Sequence, residues 1–373
     1  MFFLFLPNVD PIPLPAPVWL FKLLHIVTLL LHFVAVQMIL GGLTIATLWN
    51  FFGKSDSTMK DASNSIIKKL PTVMTYVINF GVPPLLFAQV LFGQALYTSS
   101  VLIGAYWIAV IFLLIAGYYL LYRAGDRATE GKSWWWMGII SLGLLAYIAR
   151  IYSTNMTLML RPEEWLTLYQ QSGGAGTIMP SGDPTVLPRF LFMIIGSLGL
   201  GGISIALLGE YFSHQESVKR FLVRSGSIVG AIFIPAQMLC GYWAYTAQPD
   251  VVKEGLWNSP IGYYGMIIWA LASVLGMLAI ALVALKKGKG TKIITSIAGL
   301  GAVLMTAGAV LARDAIRDLS LLAKGFDVWN RTVVSNWSVV GIFLVLFVAA
   351  LVLIAFLLVV INRSMKEVKK QNA

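Results

Sequence analysis

Residues 18–52 have the sequence VWLFKLLHIVTLLLHFVAVQMILGGLTIATLWNFF, and this stretch decides the fold class. It runs for 35 residues with Lys22 as its one charged side chain. An α-helix needs about 20 apolar residues to cross the hydrocarbon core of a bilayer. The stretch therefore predicts a membrane-spanning helix that is long enough to tilt or to project beyond the membrane.

The composition of the whole chain extends this prediction. Its 373 residues are 58% hydrophobic and 12% charged, with a mean hydropathy of +0.81, whereas soluble domains carry about 25% charged residues. We therefore predict an all-α integral membrane protein with a single membrane domain over residues 1–373. The apolar stretches predict nine transmembrane helices, at about 18–52, 72–98, 100–123, 133–156, 187–212, 221–247, 262–286, 290–312 and 337–362.

Basic residues are distributed unequally between the two predicted sides of the membrane. Eighteen of the 27 Lys and Arg residues fall on one side, where they account for the whole net charge of +11. Cytoplasmic loops carry such an excess of Lys and Arg. The pattern predicts an N-terminus outside, with residues 1–17 as an extracytoplasmic lead-in and residues 363–373 as a cytoplasmic tail. Because the charge marks topology, we expect the lipid bilayer and not nucleic acid as its partner.

Few side chains in the predicted spans can carry chemistry. Cys240 is the only cysteine, which excludes a disulfide or thiolate metal site within the chain and a c-type haem attachment motif. His25 and His32 share one face of the first helix, about 10 Å apart along its axis. An intramembrane histidine is costly unless it is paired or coordinated. For His25 we favour a hydrogen bond to a neighbouring helix over haem ligation. For His32, followed by Gly41 and Gly42, we favour haem ligation.

The second predicted helix contains the sequence NFGVPPLLFAQVLFGQ. Pro83 and Pro84 remove two backbone donors in the middle of the membrane, so we expect the helix to open there and to free carbonyl groups. Gln89 and Gln94 are polar groups on the same helix. A break of this kind indicates a cofactor or substrate site, and a simple packing kink is the alternative.

Charged residues also lie at the outer ends of two predicted helices. Arg150, in the fourth helix, needs a haem propionate, a carboxylate or the headgroup layer as partner, or it snorkels to the outer interface. The eighth predicted helix is followed directly by Arg313, Asp314, Arg317 and Asp318. Their spacing allows them to pair with one another on a helical extension. Alternatively, Arg313 could hold a haem propionate.

Taken together, these segments resemble subunit I of the cytochrome bd quinol oxidases. The sequence HFVAVQMILGG (32–42) is similar to that family's haem-ligating stretch of histidine, apolar residues and glycine. The sequence GVPPLLFAQVLFGQ (81–94) is similar to another helix of the family, with Gln89 where the family has a glutamate. The sequence GYWAYTAQPDVVKEGLW (241–257) resembles the start of the quinol-binding loop, and Arg313 falls where the family has an arginine.

The resemblance implies a bundle like that of subunit I, a haem-ligand role for His32, and quinol contact near Lys253, Glu254 and Trp257. Other ligand positions of the family are changed. Phe192 stands where the low-spin haem histidine is expected, and Met266 occupies the place of the methionine ligand of that haem. We therefore expect one b-type haem at most, and we do not expect a complete oxygen reductase.

These observations support three hypotheses. The first is a membrane subunit of a respiratory electron-transfer complex in the bacterial inner membrane, a quinol-linked oxidoreductase subunit that binds quinol or quinone at its outer face. It would exchange electrons with a partner subunit, such as an extracytoplasmic multihaem c-type cytochrome. The second is a haemless quinone-binding anchor of an oxidoreductase. The third is a transporter or a structural anchor, with the broken second helix lining a substrate path.

Overall fold

The computed structural model describes residues 13–53, 55–180 and 182–371. The predicted extracytoplasmic lead-in is therefore described from residue 13 onward, and residues 372 and 373 of the predicted tail lie outside the described residues. Between these limits the chain forms α1 (Val18–Phe52), α2 (Ser57–Ile67), α3 (Leu70–Leu102), α4 (Gly104–Thr129), α5 (Trp135–Leu158), α6 (Trp165–Gln171), α7 (Val186–Phe212), α8 (Glu216–Thr246), α9 (Asp250–Asn258), α10 (Pro260–Leu285), α11 (Lys292–Leu322) and α12 (Trp337–Gln371).

The helices confirm an all-α, multi-pass membrane protein. Within the described residues, eight are long and apolar enough to cross a membrane: α1, α3 with α2 before it, α4, α5, α7, α8, α10 and α11. The apolar stretch described at the start of α12, Trp337–Leu353, is shorter. On α4, Ile108, Phe112 and Ile115 are more than half exposed. Soluble proteins rarely expose contiguous apolar patches of this kind, so this face fits a lipid environment.

Close approach of glycine backbones brings several spans together. A Cβ atom added at Gly201 of α7 would stand 2.7 Å from the Cα atom of Gly41 in α1. In the same way, a Cβ atom at Gly202 would stand 2.5 Å from the carbonyl oxygen of Gly226 in α8. Small residues at such crossings let helix backbones pack closely in a membrane. Gly41 therefore makes room for α7, and Gly42 faces Leu70 of α3. Neither glycine contacts the ring of His32, which lies against Gly81 of α3.

One end of the bundle collects the start of α1 and the end of α11, and we call it the N-terminal face. The chain before α1 is fixed there, because Leu14 N donates to the Thr332 carbonyl and Val334 N donates to the Leu14 carbonyl, at 2.8 and 2.9 Å. The end of α11 reaches Leu322, ten residues beyond the predicted end at 312. The charged segment that begins at Arg313 is thus helical and lies at this face.

The break in α3 does not lie where the sequence predicted it. Pro83 and Pro84 are accommodated inside the helix, whereas Phe92 has non-helical dihedral angles, with φ −129° and ψ 29°. The fixed φ of proline is compatible with helical geometry, so a proline pair need not open the chain at its own position. At the break, Arg331 donates to the carbonyl oxygen of Leu91 at 3.3 Å. The loop after α11 therefore supplies a donor for the backbone at the interruption.

Candidate functional site

His32 is held on one side of its ring by α3. Its Nδ1 atom lies 3.0 Å from the carbonyl oxygen of Val77, and because a carbonyl only accepts, Nδ1 carries the proton and donates. Nε2 is then the unprotonated nitrogen, and no described residue hydrogen-bonds to it. Gly81 of α3 faces the same ring, and a Cβ atom there would stand 2.9 Å from Cε1. The result is an anchored imidazole with one free lone pair.

His25, two turns earlier on α1, has partners for both ring nitrogens. Nδ1 donates to the carbonyl oxygen of Pro84 at 2.9 Å, which leaves Nε2 as the acceptor of a hydrogen bond from Arg317 Nη1, also at 2.9 Å. The residue is only 3% exposed. The geometry therefore matches the neighbouring-helix hydrogen bond that the sequence favoured for His25. Ligation of a metal would require Arg317 to move.

A buried network of charges surrounds His25 and joins α1 to α11. Lys22 Nζ lies 2.5 Å from Asp314 Oδ2 and 2.7 Å from Asp318 Oδ2, and Arg317 pairs with Asp314 within α11. Lys22, Asp314 and Arg317 are each no more than 3% exposed. Buried charges must be paired to offset the loss of hydration, and here each has an opposite charge. The predicted pairing on a helical extension is therefore present for Asp314 and Arg317.

Aromatic rings complete this network. The guanidinium of Arg317 lies 4.0 Å from the centroid of Phe92, at the break in α3. Lys22 Nζ lies 5.4 Å from the same ring and 5.6 Å from the ring of Trp329, whose Nε1 donates to Asp318 at 3.1 Å. Cations are attracted to aromatic faces, more strongly when water is excluded. The ring of Phe92, the residue with non-helical dihedral angles, therefore contacts two buried cations, Lys22 and Arg317.

Arg313 differs from its neighbours on α11. Its guanidinium lies over the ring of Phe33 at 5.7 Å, and Phe33 packs beside His32 with ring centroids 5.9 Å apart. No carboxylate among the described residues lies within ion-pair distance of Arg313. A cation without an anion among the described residues therefore lies over the aromatic neighbour of His32.

Arg150 of α5 is a second cation without an acidic partner in the described part of the chain. Its Nη1 atom is buried and makes no hydrogen bond there. Gln89 and Gln94 are half-buried on either side of Phe92, so these polar positions flank the observed break in α3.

The predicted quinone-binding residues lie on α9, which packs against the end of α11. Lys253 pairs with Asp250 at 2.8 Å, and this pair raises the pKa of Lys253, chiefly through its hydrogen bond to the carboxylate. Glu254 is exposed. Trp257 is 51% exposed and donates to the hydroxyl of Tyr245 at 2.9 Å. These three side chains therefore form a surface on the N-terminal face.

Two other predicted positions lie in apolar surroundings. Met266 is half-buried in a cluster with Val252 and Leu256, beneath α9. The ring of Phe192 lies 5.9 Å from that of Trp269. The structure thus gives Met266 an apolar packing role between α9 and α10, and it gives Phe192 an aromatic neighbour.

Lys22 is the residue of this region that the sequence did not single out. In the sequence it is only the one charged residue of the first predicted span. A useful signal was the presence of Asp314 and Asp318 at the same predicted side of the membrane, because a buried lysine needs acidic partners. Pairing α1 with α11 from sequence would have required knowledge of which helices are neighbours.

Comparison with known proteins adds no assignment: no protein-family model and no curated protein matches this chain.

Proposed function

We propose that this chain is a membrane subunit of a respiratory electron-transfer complex in a bacterial inner membrane. In this proposal α12 is the ninth span. The N-terminal face is outside, because most Lys and Arg residues lie in loops of the opposite face. The subunit binds quinol or quinone at the outer face, holds one b-type haem on His32, and exchanges electrons with a partner redox protein.

The observation that carries the proposal is the state of His32. A histidine that ligates a metal usually donates its other ring N–H to a carbonyl or carboxylate, which fixes the tautomer. His32 has this arrangement with Val77. Arg313 stands nearby over Phe33 without a carboxylate partner in the described chain, and it is suited to a haem propionate. An intramembrane imidazole and an unpaired cation on facing helices are expected to serve a function.

The residues present fit a single axial ligand. His25 has both nitrogens bonded within the protein, and Met266 lies in a separate apolar cluster. His32 would therefore hold the iron, and Arg313 or Arg150 would neutralise a propionate. A bound haem would supply one-electron transfer. The chain's own part would be to orient the imidazole through Val77 and to keep the cationic side chains at the N-terminal face.

The quinone part of the proposal is supported by the exposed residues of α9. Trp257 offers an aromatic surface, and Glu254 offers an exposed carboxylate. Both lie at the end of the bundle where a lipid-soluble ring could arrive from the membrane interface. The Lys253 and Asp250 pair holds the beginning of α9 in place beside them.

A reduced-minus-oxidised optical spectrum of the purified protein tests the haem assignment. We expect a b-type band in the wild-type protein, its loss in His32→Ala, and its retention in the matched variant His25→Ala. A band that survives His32→Ala, or that vanishes equally in both variants while both remain folded, would contradict the assignment.

A haemless quinone-binding anchor is the second candidate, and one observation favours it: the described chain offers a single free imidazole nitrogen in the spans. Absence of haem from intact, folded protein, together with quinone retained through purification, would replace the first proposal with this one. Absence of both would leave the transporter or structural anchor.

A further inference from the structure

A cavity of about 220 Å³ lies at the N-terminal face, between the ends of α5 and α7 and beneath the loop that joins them. Its polar lining comes from Thr154 and Thr157 of α5 and from Arg161, Glu164 and Asp183 of the loop. The two threonines are buried, whereas Glu164 is exposed. The cavity therefore leads from an open rim to a buried floor.

The floor holds a polar group without a partner. Thr154 is 1% exposed, yet its Oγ1 atom makes no hydrogen bond in the described structure. Several other buried threonines bond to the carbonyl four residues earlier, as Thr28 of α1 does to Leu24 and Thr295 of α11 does to Thr291. The hydroxyl of Thr47 is also without a partner in the described structure, but Thr47 does not line the cavity. Leaving a buried hydroxyl unsatisfied is unfavourable by about 1–3 kcal/mol. A ligand in the cavity would satisfy it.

Arg150 has another unsatisfied donor on α5, although it does not line the cavity. It precedes Thr154 by four residues on α5, so the two side chains lie on the same face of the helix. Its buried Nη1 atom also has no partner among the described residues. Of these two donors, the hydroxyl of Thr154 is the one that a ligand in the cavity can reach.

The cavity walls are held in place by the protein alone. Arg161 Nε donates to Asp183 Oδ2 at 2.5 Å, and Trp165 Nε1 donates to the Leu158 carbonyl at 2.8 Å. On the α7 side, Arg189 Nη2 donates to Thr157 Oγ1 at 2.6 Å. The loop is thus tied to α5, and α5 is tied to α7 at the cavity wall.

Size and charge narrow the class of ligand. The volume is below the roughly 300–1,000 Å³ of sites for drug-sized molecules, so it admits one ring but not a haem. It also far exceeds the roughly 30 Å³ that one water occupies. Arg161 is already neutralised by Asp183, and the exposed carboxylate of Glu164 at the rim has no ion pair with any residue that the structure describes. An anionic ligand is therefore disfavoured, whereas a neutral ring that bears a hydroxyl can donate to Glu164.

We propose that this cavity binds the headgroup of a quinol, with one ring oxygen at Thr154 and a ring hydroxyl at Glu164. Leu158 and Val186 supply apolar lining beside the ring. The inference rests on the proposed function for quinol chemistry, and it adds a ring position at the ends of α5 and α7 that is separate from the exposed surface of α9.

Photoaffinity labelling of the full-length protein in lipid nanodiscs tests this placement. The probe is a short-chain ubiquinol analogue that carries an azide and is kept reduced by excluding oxygen. The competitor is the same quinol without the azide, and the modified peptides are identified by mass spectrometry. We expect competed labelling within residues 150–166 and 182–189. Thr154→Val should weaken competition about two- to tenfold, as expected for one hydrogen bond of about 0.5–1.5 kcal/mol.

Two control variants accompany Thr154→Val. Thr154→Ser keeps the hydroxyl and should retain wild-type competition, and Thr295→Val makes the same change at a buried threonine near the opposite end of the bundle and should have no effect. Competed labelling of residues 250–258 instead would overturn the cavity assignment while leaving quinone binding intact. Absence of competed labelling anywhere would overturn quinone binding itself. An equal loss of competition in Thr154→Val and Thr295→Val would also overturn the assignment.

Discussion

His25 and His32 lie on the same helix, two turns apart, and both donate Nδ1–H to a carbonyl oxygen of α3. They differ at Nε2, where His25 accepts from Arg317 and His32 has no partner in the described structure. Two histidines of the same helix thus differ in the structure: both ring nitrogens of His25 have partners, and only one ring nitrogen of His32 has a partner among the described residues. The difference comes from α11, which carries Arg317 to one ring and not to the other.

The comparison shows how to recognise groups available to a ligand in this protein. We call a polar group closed when its partners lie within the chain, and open when a nitrogen, oxygen or cation is left without one. In the described structure His25 and the carboxylates that pair with Lys22 are closed, whereas His32, Arg313 and Thr154 are open. Arg317 is closed at Nη1 and Nη2 but not at Nε. Closed groups should govern stability when they are changed, and open groups should govern ligand binding.

The largest effect on stability should come from the centre of the closed network. Asp314→Asn leaves Lys22 and Arg317 without their shared carboxylate, and breaking a buried ion pair typically destabilises by about 3–5 kcal/mol. Asp318→Asn should have a smaller effect, because its side chain is 14% exposed and only 1% of Asp314 is exposed. Equilibrium unfolding in mixed micelles measures both. If Asp314→Asn lowered the free energy of unfolding no more than Asp318→Asn does, Asp314 would not be the centre of the network.

Arg317→Gln should convert the closed imidazole into an open one. Hydrogen bonds to charged groups contribute about 1.5–3 kcal/mol, so the reactivity of His25 toward diethyl pyrocarbonate should rise roughly tenfold or more. In the wild-type protein we expect modification of His32 and protection of His25. Mass spectrometry of the modified peptides reads both residues in one sample, with His32 as the internal reference. Continued protection of His25 in the variant would mean that burial and not Arg317 closes it.

Gly81→Ala tests the surroundings of the open imidazole. Its Cβ atom would stand 2.9 Å from the Cε1 atom of His32, so the ring must shift, and overpacking of this kind destabilises by about 1–3 kcal/mol. Gly93→Ala on the same helix is the control, because its nearest neighbour is Tyr97 at 3.9 Å. Thermal stability and haem content should fall in the first variant only.

The sequence predicted the parts of this arrangement that depend on helical periodicity. It placed His25 and His32 on one face and allowed Asp314 and Arg317 to pair on an extension of the eighth predicted helix, as the structure has them. It did not identify Lys22, because that role depends on α1 lying beside α11. Tertiary contacts between distant segments leave little trace in a single sequence.

The position of the break at Phe92 was also missed because it depends on contacts between distant segments of the chain. The sequence predicted a break at Pro83 and Pro84, because prolines lack a backbone donor. The non-helical residue is instead Phe92, further along α3. The groups that accompany the break, Arg317 and Arg331, come from other parts of the chain. A local prediction from proline therefore identified the correct helix and the wrong position.

Thr154 and Thr157 offer a sharper comparison of open and closed groups, three residues apart on α5. Thr154→Val removes a hydroxyl without a partner, and such a change is nearly neutral or stabilising. Thr157→Val removes an acceptor from Arg189 and should destabilise by about 1–3 kcal/mol. The free energy of unfolding measures the contrast. Equal losses in the two variants would show that Thr154 is not an open group.

The smallest effect concerns pH and the closed carboxylate of Asp183. Burial acts to raise its pKa, but hydrogen bonds from Thr185 and Arg161 outweigh burial and hold the pKa below its ordinary value of 3.8. A depressed pKa stabilises the folded loop above the ordinary value, and that contribution is lost as the pH falls below 3.8 through the folded pKa. The protection factors of the amide hydrogens near residues 183–186, which correct for the slower intrinsic exchange in acid, should therefore fall as the pH drops below 3.8. Asp183→Asn should remove this dependence on pH.

The ion pairs of Lys22 also have a consequence for biosynthesis. Lys22 and Asp318 are separated by 296 positions in the chain. At typical translation rates of about 5–20 residues per second, roughly 15–60 s pass between their synthesis. During that interval the amine of Lys22 must reach toward the membrane surface for water, as long cationic side chains do. The first span thus inserts early but acquires its final neighbours late, when α11 delivers the two carboxylates.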